Sequence, residues 1–175
     1  MRILLLSSLS VLAIACAAPT TEGDAGDEGE ELGSTESLAT VGCSLSKSEI
    51  LASVSGGRKT AIARGFEWLA DDVPYSQSKY HEGYRTDCSG FVSMCWQTGT
   101  SYTTSDFAGG SSKWKSIAYD ALVPGDALVR RVGGQGHAVL FVGWNDAKHS
   151  GACVLEEAST ASDMQFRVRT VSSLK

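Results

Sequence analysis

Helical patterns in the first part of the chain, followed by apolar strand runs, predict an α+β domain with its N-terminal helices packed on an antiparallel sheet. Three observations carry this. Ser46-x-x-Glu49 has the capping-box pattern that opens a short helix, which Gly56-Gly57 ends beyond Val54. Ile62, Phe66 and Leu69 give Arg58 to Asp71 one apolar face, and Phe91, Val92, Cys95 and Trp96 do the same for a helix starting at or just after Cys88. From Ala127 on, the runs Ala127 to Arg131, His137 to Trp144, Ala152 to Ala158 and Met164 to Val171 are separated by turn-forming stretches. The last run alternates, with Phe166 and Val168 on one face and Arg167 and Arg169 on the other.

The elements before and between these follow from composition. Arg2 and the apolar run Ile3 to Ala18 have the length of a secretory signal, too short for a spanning helix. Within it, Leu12-Ala13-Ile14-Ala15-Cys16 looks like a bacterial lipobox that would lipidate Cys16. The rival reading is cleavage near Ala17 or Ala18 and release. Residues 19–42 hold seven acids and no base among Pro, Thr, Gly and Ser, the composition of an extended linker that cannot bury a core. Residues 43–175 are then one exported domain. Its charge is balanced, 14 Lys and Arg against 13 Asp and Glu from Lys47 on, so the net −5 belongs to the linker. No basic run points to nucleic acid, and a monomer that meets a membrane only through Cys16 is expected. Gly99 to Lys113 reads as a long polar loop, a lip over a cleft.

Chemistry centres on Thr86-Asp87-Cys88-Ser89-Gly90-Phe91-Val92. A thiol at a helix start meets unpaired N–H groups and the positive end of the helix dipole, which favour its thiolate. The segment resembles the Asp-Cys-Ser-Gly-(Phe/Leu)-Val signature of the NlpC and p-sixty superfamily of bacterial cell-wall cysteine peptidases. Val73-Pro74-Tyr75 and Leu122-Val123-Pro124-Gly125-Asp126 resemble further family stretches, although Gln77-Ser78-Lys79 stands where members commonly carry Trp-Gly-Gly. The resemblance implies a papain-like fold with Cys88 as nucleophile, no cofactor, and Tyr75, Asp87 and Ser89 as substrate-binding residues. Asp87 and Ser89 are also good helix caps.

A cysteine hydrolase needs a base, and the base needs an orienting group. Of three histidines, His81 and His149 lie in polar loops, while His137 opens the apolar strand Ala138 to Val142 and matches the family's histidine. A turn centred near Ala147 places Glu157 opposite His137 and turns Glu156 away, and a one-residue slip reverses that choice. Glu157-Ala158-Ser159 also falls where many members have His-Ala-Ser. The implied activity is thiol hydrolysis of peptidoglycan stem peptides, at the bond from the D-glutamate γ-carboxyl to a diamino acid. The alternatives are a catalytically silent wall-binding lipoprotein of the same fold, or a thiol amidase or acyltransferase on another amide. No metal-ligand spacing is present. With Cys16 and Cys88 assigned, at most one disulfide can form among Cys43, Cys95 and Cys153.

Overall fold

The computed structural model describes residues 2–5 and 42–174. The lipobox at Cys16 and the acidic linker up to Val41 lie outside the described residues. Short helix α1, Lys47–Ala52, opens on a Ser46/Glu49 capping box, and α2, Gly56–Ala70, follows. Two-residue strands β2, Tyr80–His81, and β3, Tyr84–Arg85, form a hairpin leading into α3, Cys88–Trp96. Every residue of α3 is buried.

The stretch expected as a loop holds a helix, α4, Thr104–Gly109, capped by a Thr103/Asp106 box. The signal was a Thr-x-x-Asp spacing, with aspartate in place of the usual glutamate. Phe107 and Trp114 are core residues, packed edge-on or tilted against each other and Tyr102 rather than forming a lip.

Strands β5, Ala127–Val132, β6, Gln135–Trp144, β7, Gly151–Glu157, and β8, Met164–Thr170, form an antiparallel meander. At its β5 edge lie two strands, β1, Arg2–Leu5, and β4, Lys115–Ser116, with β1 parallel to both neighbours. Residues 2–5, expected as part of a secretory signal, thus join the sheet in this structure, a parallel edge on a sheet expected to be antiparallel throughout. The class is α+β. No helix among the described residues is long and apolar enough to cross a membrane.

The sheet buries both faces. Ala138, Leu140, Val142, Cys153 and Leu155 face α2 and α3 in the main core, while Leu128, Val139, Phe141, Ala152 and Val154 form a smaller cluster behind, closed by Leu174. A disulfide joins Cys43 to Cys153 across 110 positions and ties the start of the domain to β7. Cys88 and Cys95 are free, and burial pushes the Cys95 thiol up, out of the reactive range.

Candidate active site

Cys88 is the first residue of α3, and Asp87 caps the helix by accepting from the Gly90 N–H at 2.7 Å. The first N–H groups of a helix have no acceptor within it, so the Cys88 N–H is placed to serve an oxyanion. Glycine at 90 is required by close approach: a Cβ there would run into the Arg85 carbonyl, where β3 passes the first turn of α3. Arg85 pairs with Asp87 and donates to Ser89 Oγ and to the Tyr102 carbonyl, both at 3.2 Å. Ser89 Oγ in turn donates to Asp87 at 3.2 Å. Asp87 and Ser89 are therefore engaged in capping and in the Arg85 pair. Tyr75 is buried, its N–H donates to Asp163 at 2.8 Å, and Gln77 lies 3.5 Å from its hydroxyl.

His137 lies near the start of β6, behind the Gly133-Gly134 turn. Gly136 is matched to its surroundings, since a Cβ there would collide with Thr104 at the start of α4. The ring interacts with Cys88 and hydrogen-bonds through Nε2 to Glu156 Oε2 at 2.6 Å. An ionised carboxylate only accepts, so Nε2 carries the proton and Nδ1 is the nitrogen left for the sulfur. Burial works against a charged ring, but Cys88 and Glu156 outweigh it and raise the His137 pKa.

The partner of His137 is thus Glu156, not Glu157, and the reason is register. The β6–β7 turn is closed by the Asn145 N–H donating to the Gly151 carbonyl, so its centre lies later than Ala147. Val142 then stands as an extra residue between Phe141, paired with Val154, and Gly143, paired with Cys153. Together these slip the pairing by one residue and put Glu156 on the His137 face. The ladder ends at Leu140–Leu155, and beyond it the His137 and Glu156 side chains bridge the strands.

Glu156 is fully buried and accepts four bonds. Oε1 takes Arg167 Nε at 2.7 Å and Arg169 Nε at 2.8 Å, and Oε2 takes Arg169 Nη2 at 2.9 Å besides His137. Burial opposes its charge, but His137 and Arg169 hold its carboxyl well below the usual range. The two arginines escaped the sequence-based site, although their alternation on one face of the last strand was visible. What that pattern lacked was any sign that the face they share is the one that carries His137.

Glu157, also fully buried, points to the other face, and neither of its oxygens has a hydrogen-bond partner. Burial, then the charges of Asp163, Asp87 and Asp72, push its carboxyl up to about 8. His81 rests edge-on against Trp68, and the exposed His149 stacks on Trp144, so neither takes part in the site.

The fold and site together define an α+β domain with a thiol beside an imidazole that is hydrogen-bonded to a buried carboxylate. No family model matches this sequence, and neither a curated protein nor a solved structure does.

Proposed function

We propose that the protein is an exported cysteine hydrolase of papain-like type acting on peptidoglycan stem peptides. The observation that carries this reading is His137 hydrogen-bonded to Glu156 with Cys88 close enough to act on its charge. Cys88 Sγ attacks the scissile carbonyl, and the oxyanion that forms lies toward the start of α3. His137, which has taken the Cys88 thiol proton on Nδ1, gives it to the leaving amine, which departs and leaves a thioester. Water then attacks, His137 takes a proton from it, and the acid product leaves with the thiol restored. Glu156 holds the ring in the tautomer this needs.

The peptide class, and the bond from the D-glutamate γ-carboxyl to a diamino acid, rest on the Asp87-Cys88-Ser89-Gly90 resemblance. The Cys43–Cys153 disulfide supports an oxidising compartment and hence export. Purified protein is expected to release muropeptide fragments from isolated cell walls, and Cys88→Ala to release none, both read by mass spectrometry. Full release by Cys88→Ala would rule the assignment out. A wall-binding role without turnover draws support from the burial of Cys88, which is 4 % exposed. Wall binding with no release by the wild-type chain would favour that second role.

A further inference from the structure

An orienting carboxylate brings a difficulty of its own. Beside a thiolate and an imidazolium, an ionised Glu156 would leave the chain of groups with one surplus negative charge, which opposes the anion at sulfur and the later oxyanion. Here two cations stand behind it. Gln165 pairs with Glu156, Arg167 with Val154 and Arg169 with Ala152, so strand periodicity puts both arginines on the Glu156 face. Their three N–H bonds and the one from His137 fill both carboxylate oxygens, which leaves the group no freedom to turn.

We propose that Arg167 and Arg169 are positioning residues of this site: they fix the Glu156 carboxylate and outweigh its charge, so that a glutamate can orient His137 without opposing the anion at Cys88. The inference rests on the reading of Cys88 and His137 as nucleophile and base. With both arginines the same chain of groups carries one surplus positive charge instead. The remaining charged groups around the pair do not cancel this. Arg85 and Asp87 neutralise one another beside Cys88. Glu157, with Asp163 and Asp72 near it, faces the other side of β7 and is held protonated at neutral pH. Arg130 stands opposite His137 on β5.

The test is the rate at which iodoacetamide alkylates Cys88 in the full chain, followed against pH by peptide mass mapping. Arg169→Gln is expected to move the acid limb of the profile up by about one pH unit, lowering the rate on that limb about tenfold. Arg169→Lys keeps the charge and loses the fork, so the limb stays in place and only the plateau falls. Glu156→Gln alone moves the limb down, and Glu156→Gln with Arg169→Gln returns it to the wild-type position, because the net charge is restored. An unmoved limb in Arg169→Gln, or equal profiles for Arg169→Gln and Arg169→Lys, overturns the proposal. Should Arg169→Gln not fold, the double variant decides: a limb where Glu156→Gln alone puts it means that the arginine charge has no effect. Alkylation uses no cell wall, so an unmoved limb with intact muropeptide release sinks this inference alone. The expected shifts without release sink the peptidoglycan reading and leave the arginine role standing.

Discussion

Glu156 and Glu157 are consecutive, equally buried and opposite in state. The first accepts four hydrogen bonds and stays ionised, whereas the second has no hydrogen-bond partner and holds its proton to about pH 8. Desolvation weighs on both carboxyls. What separates them is the side of β7 on which each falls: one face offers a histidine and two arginines, the other a set of aspartates. A buried carboxyl is governed less by its depth than by the sign of what stands within a few ångströms of it.

The contrast can be broken from either side. The largest effect is expected from Glu156→Ala, which strands Arg167 and Arg169 without their anion. A loss of about 3–5 kcal/mol in unfolding free energy is expected from urea titration, the scale for breaking a buried pair. On the proposed mechanism, hydrolysis should fall by roughly 10²–10⁴-fold as His137 loses its orienting group. An unchanged urea midpoint would mean that the arginines are satisfied by water and that the two glutamates are not different in kind.

The strand itself can be loosened next. Replacing both Cys43 and Cys153 by serine removes the bridge that pins β7, with an expected loss of about 2–4 kcal/mol in thermal or urea unfolding. The pH dependence of Cys88 alkylation should stay the same, because the Glu156 contacts come from β6 and β8. A displaced profile would show that strand placement, rather than local partners, sets the state of Glu156.

Glu157→Gln should give the smallest change, and of opposite sign. The folded protein keeps a proton on Glu157 that the unfolded chain has already released above about pH 4.5. Stability from this group is therefore complete below that pH and is lost as pH rises through about 8. Glutamine abolishes this loss, so urea midpoints of variant and wild type should agree near pH 4.5 and separate in the variant's favour toward pH 9. The gain is on the order of 1–2 kcal/mol, because the surroundings relax around a charged carboxylate and recover part of the full shift. Parallel midpoints across that range would show that Glu157 is ionised and paired like its neighbour.

Much of this was legible beforehand. Ser46 and Glu49 announced α1, Asp87 and the stripe from Phe91 to Trp96 announced α3, and the four strands of the meander fall within a residue or two of their apolar runs. Such elements are written in short-range chemistry, in caps and periodicities that need no distant partner. The helix α4 is also written locally, in Thr103 and Asp106, but that box stands among so many turn-forming residues that composition points to a loop.

The sequence by itself determined that Cys88 stands at a helix start, that His137 lies near the start of a buried strand, and that a glutamate follows on the next strand. Only the tertiary structure decided which glutamate, because the choice turns on one unpaired residue at Val142 and on where a seven-residue turn has its centre. Side chains on a strand alternate, so a slip of one position exchanges the two faces completely, and nothing near Glu156 or Glu157 records that slip. The same holds for Arg167 and Arg169. Their shared face was visible in the chain, but the anion they enclose was brought to them by folding.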